Sequence, residues 1–503
     1  MQSKATSAGT SRNLKQHIRL VVPSFSQAAL AMVLLWGLSG LWLSAQTFKS
    51  LHSFAGTSAS DGATPGYGAL VQGVDGNLYG TTTQGGVTCS FFGALGCGEV
   101  FEITPAGTIN GIYKFCMTTG CADGNDPYGG LALDTDGSLY GMTDLGGIDG
   151  IGAVFRITRT SKGFKFSTLY SFDNSLGSEP LDTLVRASDG KNFYGFTQTG
   201  SPTGYGAIFT INATGVTNLV QSFDGTDGTG DATGGLVQGT DGNFYGVSPN
   251  GNGSQGTVFM LDSAANINVL HPFTGNPDGS GPTGKLVQSS VDGNFYGTTA
   301  SGGMNDQGTV FKITPGGQLT IIYNFCMVSG CPDGFSPVAG LIQGTDGKFY
   351  GTTLGGGTGV SPGTVFQITS GGVLKTLHSF NGLSDGTEPF AGLVQHTNGT
   401  FYGTTNAGGT NGLGTVFSVS VGLRPFVRTL PSSGTVGAQV IILGTNLNPT
   451  NTVSFNGQQQ VVFNVNKMGT EITTSVPAGA TSGFVTVTTP TRSLKSNVPF
   501  LVQ

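Results

Sequence analysis

One phrase, Asp-Gly-x-x-Tyr-Gly, recurs seven times and constrains the fold more than any other feature of the chain. Its third copy carries one extra residue, and its last has Asn398 in place of the aspartate. The seven tyrosines are Tyr79, Tyr140, Tyr194, Tyr245, Tyr296, Tyr350 and Tyr402. Their spacing of 51 to 61 residues indicates that one supersecondary unit is repeated along the chain.

Two further phrases share this period. Variants of Gly-Thr-Val-Phe end at Phe101, Phe155, Phe209, Phe259, Phe311, Phe366 and Phe417. Relatives of Leu-x-x-Phe end at Phe54, Phe115, Phe172, Phe223, Phe273, Phe325 and Phe380. Within one unit, the alternation of apolar and polar residues predicts four short strands, at 285–288, 295–299, 308–314 and 319–325. Four antiparallel strands per unit of about fifty residues are typical of one β-propeller blade.

The chain ends of the repeat region favour a closed ring. The last unit stops after its third strand, 414–420, whereas residues 47–54 supply an unmatched fourth strand ahead of the first unit. That strand can complete the last blade, while an open stack would instead need capping repeats at both ends. We predict an all-β chain with a seven-bladed β-propeller over residues 46–421, closed by its N-terminal strand.

Composition excludes several other classes of protein. Glycine accounts for 87 of 503 residues, but it occurs in clusters and only 21 prolines accompany it, unlike collagen. Charged residues are only 10% and the formal net charge is −6, which argues against a long coiled coil and against a nucleic-acid partner. We interpret the glycine as the residue of very many tight turns.

The repeats resemble the glycine-rich GloVer tandem repeat of bacterial exported proteins. The phrases Asp-Gly-Asn-Phe-Tyr-Gly-Thr-Thr, Gly-Gly and Gly-Thr-Val-Phe carry that resemblance. It implies export and, in many members, attachment by one of several C-terminal devices. It does not imply a known reaction.

Residues 422–503 differ from the repeats in containing no aspartate and much Val, Thr, Asn and Ser. Short strands are predicted at 439–443, 453–457 and 484–489, a spacing typical of a β-sandwich. These phrases resemble an IPT/TIG domain with an immunoglobulin-like fold, which implies a spacer or binding module. No apolar tail or basic stop follows, so we predict no anchor at this end.

Residues 1–45 have the layout of a secretory signal. Four basic residues precede an apolar run at 28–43, and Ser44-Ala45 follows as a small-residue exit. We expect cleavage after Ala45, with retention as an N-terminal anchor as the alternative. Because no other apolar run is long enough to span a bilayer, we expect a secreted or cell-surface protein without a membrane span in its mature chain.

The six cysteines form three close pairs, Cys89 with Cys97, Cys116 with Cys121 and Cys326 with Cys331. In an exported chain we interpret them as three local disulfides. A zinc site is the alternative, which the lack of a nearby histidine disfavours. A galactose-oxidase-like copper site would need histidines at the ring axis, but His52, His271 and His378 share one position on the predicted rim strand. No hydrolase motif is present, and we assign no catalytic residue.

Two features point to binding at the face of the longer loops. The first is an acidic series that could ring the channel mouth and hold calcium or a cationic ligand. Its members are Asp61, Asp123, Glu179, Asp227, Asp278, Asp333 and Asp385. The alternative, which we favour, is that each aspartate caps its own turn.

The second feature is aromatic. Phe91 and Phe92 lie in the longest loop, between Cys89 and Cys97, and suit contact with a sugar ring or a protein, although they could also fold back onto the blade. Further candidates on this face are Tyr67, Tyr128 and Phe390.

We therefore expect a monomeric, non-enzymatic, exported propeller that binds a glycan or a surface protein and needs no cofactor other than, at most, calcium. A polysaccharide-active hydrolase or lyase that uses carboxylates at the channel mouth is one alternative. A structural or adhesive surface protein is the other.

Overall fold

The computed structural model describes residues 46–56, 61–88, 96–225, 234–251, 255–358 and 362–503. The expected secretory signal, 1–45, lies outside these residues. The described chain is built of β-strands, with a 3-10 turn at Thr119–Cys121, so the all-β prediction is confirmed. Within these ranges, no helix has the length and apolar character needed to cross a membrane.

The described residues from 47 to 420 form seven antiparallel sheets, one for each repeat unit. The first unit contains β2 (Ala63–Pro65), β3 (Val71–Gln72), β4 (Leu78–Gln84), β5 (Glu99–Ile103) and β6 (Ile109–Lys114). The second and third contain β7 (Ala132–Leu133), β8 (Leu139–Thr143), β9 (Ala153–Thr160), β10 (Gly163–Ser171), β11 (Val185–Arg186), β12 (Asn192–Thr197), β13 (Ala207–Asn212) and β14 (Thr217–Ser222).

The remaining four units follow the same plan. The fourth and fifth contain β15 (Val237–Gln238), β16 (Phe244–Ser248), β17 (Thr257–Leu261), β18 (Ile267–Pro272), β19 (Val287–Gln288), β20 (Phe295–Thr299), β21 (Thr309–Ile313) and β22 (Leu319–Asn324). The sixth and seventh contain β23 (Ile342–Gln343), β24 (Phe349–Thr353), β25 (Thr364–Ile368), β26 (Leu374–Ser379), β27 (Val394–Gln395), β28 (Phe401–Thr405) and β29 (Thr415–Ser420). In the fifth unit, the strands lie where the sequence predicts them, within two residues at each end.

The seventh sheet takes its fourth strand from the start of the repeat region. β1 (Thr47–Ser53) pairs antiparallel with β29, in a register that runs from Thr47 opposite Ser420 to Ser53 opposite Thr415. This is the pairing that the unmatched strand ahead of the first unit predicts. It joins the two ends of the repeat region through backbone hydrogen bonds.

Inside each sheet, a glycine of the second strand faces a phenylalanine of the third. A Cβ built on Gly297 would lie 2.5 Å from Cζ of Phe311 and 2.8 Å from Cδ2 of Leu286. The equivalent glycines in the other units, where a Cβ would also come within 3.0 Å of the phenylalanine ring, are Gly80, Gly141, Gly195, Gly246, Gly351 and Gly403. These seven have no positive φ, so the interpretation of the glycine as turns is incomplete. They are required by packing.

Neighbouring sheets are joined by the two residues before that glycine, which point to opposite faces of the strand. Tyr296 stacks on Phe349 of the following unit with ring centroids 4.0 Å apart, and the tilted rings of Tyr245 and Phe295 lie at the same distance. Between the last unit and the first, Tyr402 lies in one apolar cluster with Leu78. The contact between sheets is therefore repeated from unit to unit and also links the two ends.

A glutamine in the first strand adds a hydrogen bond between neighbours. Its side-chain oxygen accepts from a backbone N–H in the turn of the preceding unit, as for Gln288 with Thr240 at 2.9 Å. The same bond joins Gln72 of the first unit to Thr397 of the last, also at 2.9 Å. It fixes the end of the sheets that carries the short Asp-Gly turns.

Residues 422–503 form a separate group of strands with their own apolar core. The strands are β30 (Arg428–Leu430), β31 (Ser433–Gly434), β32 (Gln439–Leu443), β33 (Thr452–Phe455), β34 (Gln458–Gln460), β35 (Phe463–Val465), β36 (Glu471–Ser475), β37 (Val485–Thr488), β38 (Ser493–Lys495) and β39 (Leu501–Val502). Two four-stranded sheets have the orders β30-β32-β36-β35 and β34-β33-β37-β38, and β31 pairs parallel with β39.

This C-terminal module packs on the short-turn end of the repeat sheets. The Thr470 hydroxyl donates to the Val74 carbonyl at 2.7 Å, and the hydroxyls of Thr397 and Thr445 are 3.0 Å apart. Ile441 and Leu443 join the apolar cluster of the first two units. The module therefore covers one end of the space that the seven sheets surround.

We predict that Gly297→Ala destabilises the protein by about 1–3 kcal/mol, because the added methyl group overpacks the core against Phe311. The matched control is Gly316→Ala in the exposed turn before β22, where a Cβ meets only Thr314 at 3.9 Å. Urea denaturation of both variants measures the effect. Adding Phe311→Leu to Gly297→Ala should recover part of the loss, and equal stabilities for the two alanine variants would contradict the packing argument.

Candidate functional site

A cavity of about 980 Å³ lies at the centre of the seven sheets. Residues at or next to the first strand of every unit line it, and Arg428, Leu430 and Asn497 of the C-terminal module line its short-turn end. Tyr67, Tyr128 and Phe390 line the opposite end, where the longer loops meet. Its volume is at the upper end of the range usual for small-molecule sites.

Small residues dominate the ring of positions that precede the first strands. At one position the units carry Gly68, Gly129, Asp182, Gly234, Gly284, Ala339 and Ala391. At the next they carry Ala69, Gly130, Thr183, Gly235, Lys285, Gly340 and Gly392. The neighbouring backbones approach closely here, since a Cβ on Gly284 would lie 2.5 Å from the Ala339 carbonyl carbon. Asp182 and Lys285 are the two charged exceptions.

Asp182, Lys285 and Arg428 are the charged side chains among the described residues of the lining. Burial raises the pKa of Asp182 to about 6, although the charge of Lys285 opposes that rise. Burial also lowers the pKa of Lys285, and Arg428 adds to this effect while Asp182 opposes it. Lys285 therefore lies close enough to Asp182 and to Arg428 for both charges to affect its pKa. Sequence reasoning missed them, although comparison of the two residues before the leucine that opens this segment in each unit would have shown two charges among small residues.

The aromatic candidates Tyr67, Tyr128 and Phe390 come together at the long-loop end of the cavity. The rings of Tyr67 and Tyr128 stack with centroids 4.0 Å apart, and Phe390 lies 4.5 Å from Tyr67 at a tilt of 56°. All three are half-buried. Phe91, Phe92 and Cys89 lie outside the described residues.

The described aspartates of the acidic series do not line the cavity. Each accepts a hydrogen bond from a side chain of the neighbouring outer strand, as Asp385 does from His378 at 2.8 Å and Asp333 from Tyr323 at 2.8 Å. The other such pairs are His52 with Asp61, Tyr113 with Asp123, and His271 with Asp278. Backbone N–H groups of the same turns also donate to these carboxylates. Such bonds are expected where each aspartate caps its own turn. Asp227 lies outside the described residues.

Glu179 does not occupy the repeat position of these aspartates. It therefore does not belong to the acidic series. Leu176 and Gly177 take the Asp-Gly place in the third unit, and Glu179 precedes a proline. The backbone N–H of Gln198 donates to the Glu179 carbonyl, just as that of Asp144 donates to Asp126. The proline that follows shows the equivalence, since Asp126, Glu179 and Glu388 each precede one.

Asp126 and Asp144 form a second acidic group near the aromatic end, which sequence reasoning also missed. Burial raises the pKa of Asp126 to about 6. The pKa of Asp144 rises to about 7, chiefly through burial and then through the charges of Asp126 and Glu179. One oxygen of each carboxyl has no hydrogen-bond partner among the described residues. Both charges also act on Tyr128.

The histidines and cysteines of the described residues lie away from the cavity lining. His396 is buried and bonds the Gly76 carbonyl at 2.9 Å. Disulfides join Cys116 to Cys121 and Cys326 to Cys331, which confirms two of the predicted pairs. The sulfurs of Cys97, Cys116 and Cys121 lie within 4.8 Å of one another, but all three cysteines are disulfide-bonded and offer no thiolate to zinc.

Glu99 is a buried carboxyl with no hydrogen-bond partner for either oxygen among the described residues. Burial raises its pKa to about 8, with Asp61 adding to the rise and Lys114 opposing it. Four other units carry threonine here, and three of these form threonine pairs across the strands, as Thr309 does with Thr299 at 2.9 Å. Glu99 faces Thr82 in the same register.

We predict that Glu99→Thr stabilises the protein by about 1–3 kcal/mol at neutral pH, because it removes an unsatisfied carboxyl and restores a threonine pair. The folded-state pKa is raised, so the parent should lose stability as pH rises from about 4.5 towards 8, and the variant should lack that loss. Denaturation at several pH values measures it. Glu99→Gln keeps the shape of the side chain and removes its charge, so it shows which of the two causes the loss of stability. Parallel profiles of unfolding free energy against pH for the parent and Glu99→Thr would contradict the prediction.

Comparison with known proteins adds a family and a fold. The model of the Gloeobacter/Verrucomicrobia repeat matches residues 40–191 and 187–417. A fungal alcohol oxidase of the AA5 family, in complex with copper, is similar at 11% identity and a TM-score of 0.52, over 90% of this chain and 98% of that one. The BP39L lectin from Burkholderia pseudomallei is similar at 13% identity and a TM-score of 0.47, over 72% and 97%. No curated protein matches by sequence. At 11% identity, the first likeness shows a shared propeller-like fold alone.

Proposed function

Since the chain belongs to the Gloeobacter/Verrucomicrobia repeat family, we propose that it is an exported, non-enzymatic protein that binds a glycan at the aromatic end of its central cavity. The observation that carries this function is the cluster of Tyr67, Tyr128 and Phe390 at an opening into a cavity of about 980 Å³. Aromatic rings offer sugar rings a flat apolar face with polar edges. The disulfides support export, because they persist in oxidising compartments.

The architecture we propose is a seven-bladed propeller followed by an immunoglobulin-like spacer of the IPT/TIG type. The pairing of β1 with β29 and the bond between Gln72 and Thr397 support closure of the ring. The two four-stranded sheets after residue 422 support the sandwich. The C-terminal module closes the short-turn end of the cavity, so the long-loop end is the entrance.

We predict that Tyr128→Ala weakens glycan binding by about tenfold or more, because one of the three aromatic rings at the entrance is lost. The full-length protein is screened against soluble glycans and cell-wall polymers, and affinities are then measured by calorimetry. Tyr205→Ala is the matched control, since Tyr205 is 50% exposed and does not line the cavity. Absence of glycan binding across the panel would overturn the proposal, and so would an equal loss of glycan affinity in both variants. Binding of a protein partner in place of a glycan would favour a protein ligand.

A polysaccharide-active enzyme is the second candidate, and the pair of Asp126 and Asp144 favours it. Burial raises the pKa of both carboxyl groups towards neutrality, so one of the two can hold the proton that a general acid donates at neutral pH. Both carboxyl groups lie close enough to the aromatic cluster for their charges to raise the pKa of Tyr128.

Product analysis separates the two candidates. The binding proposal predicts no new reducing ends or unsaturated products when the protein is incubated with the polysaccharides that it binds. The enzyme candidate predicts products, a rate that falls as pH rises above about 7 and Asp144 loses its proton, and loss of activity in Asp144→Asn without loss of binding.

A further inference from the structure

The two cations of the central cavity differ from the arginines of the neighbouring units. Arg186 donates to Asp134 at 2.6 Å, and Arg156 pairs with Asp136. In contrast, no hydrogen bond or ion pair with a described residue reaches the Lys285 ammonium or the Arg428 guanidinium. Both side chains are half-buried along the cavity, and a cation partly withdrawn from water without a partner is costly, so a bound anion would stabilise both.

The fold itself does not require these cations. Six units carry Gly, Ala or Thr at the position of Lys285, and the ring of sheets forms with those small residues. Arg428 comes from β30, outside the repeats, and nevertheless acts on Lys285 electrostatically. Two elements that are distant in sequence thus place positive charge in the same cavity.

The charge of the cavity favours a ligand with one negative charge. Lys285 and Arg428 together exceed the ionised Asp182 by one positive charge. A carboxylate would neutralise that excess, and it fits the planar fork of a guanidinium. A doubly charged phosphate ester would leave the cavity negative.

The remaining polar groups suit a sugar. Hydroxyl and amide side chains also line the cavity, among them those of Thr183, Thr283 and Asn497. Such groups can exchange hydrogen bonds with the hydroxyl groups of a sugar. We infer that the cavity binds a uronic acid residue of a glycan, with the carboxylate held by Lys285 and Arg428. This inference rests on the proposed glycan-binding function.

Calorimetry on the full-length protein tests it with two ligands of equal length, an oligogalacturonate and its methyl ester, which lacks the charge. We expect the acid to bind at least about tenfold more tightly than the ester, as charge-assisted hydrogen bonds require. Lys285→Ala and Arg428→Met should each weaken binding of the acid by about tenfold and leave the ester unchanged. Asp182→Asn should act in the opposite direction and tighten binding of the acid.

The matched control is Lys375→Met, since Lys375 is an exposed lysine on β26. Thermal unfolding checks that each variant folds. Equal affinities for acid and ester would overturn the carboxylate site while the glycan-binding function stands. Weakening of acid binding by Lys375→Met as much as by Lys285→Ala would also overturn the site. Failure of both ligands, together with every neutral glycan of the panel, would overturn the proposed function as well.

Discussion

Each sheet depends on a phenylalanine ring that occupies the space beside a glycine of the adjacent strand. Phe311 fills the place where a side chain of Gly297 would be, and Leu286 closes the same space from the first strand. Because any Cβ would collide with the ring, the Tyr-Gly phrase and the Gly-Thr-Val-Phe phrase must occur together. This explains why both phrases have the same period and why seven glycines lie inside strands, where glycine is otherwise unfavourable.

The residues next to that glycine carry the packing from one sheet to the next. Phe295 and Tyr296 point to opposite faces of β20, so one stacks on the preceding unit and the other on the following unit. Leucine replaces the phenylalanine in the first two units, where Leu78 meets Tyr402 and Leu139 meets Tyr79. An apolar side chain of similar reach is thus sufficient at this contact.

Much of the fold is predictable from the sequence because its determinants are local and repeated. The strand at 295–299 and its Asp-Gly turn follow from alternation and turn chemistry within ten residues, and the partner of β1 follows from counting strands. The central cavity does not, because Asp182, Lys285 and Arg428 are far apart in sequence and meet only when the sheets surround a common axis. The place of Glu179 is hard to predict for a related reason, since Leu176 stands in its unit where five others have the aspartate.

The repeated residues build the scaffold, and the departures from the repeat provide the chemistry. A ring composed only of consensus units would enclose a neutral cavity of glycine, leucine, valine and glutamine. Its charge arises from Asp182 in the third unit, Lys285 in the fifth and Arg428 in the C-terminal module. Membership of the repeat family therefore accounts for the scaffold, whereas the charge of the cavity comes from a few axial residues and from the module that closes one end.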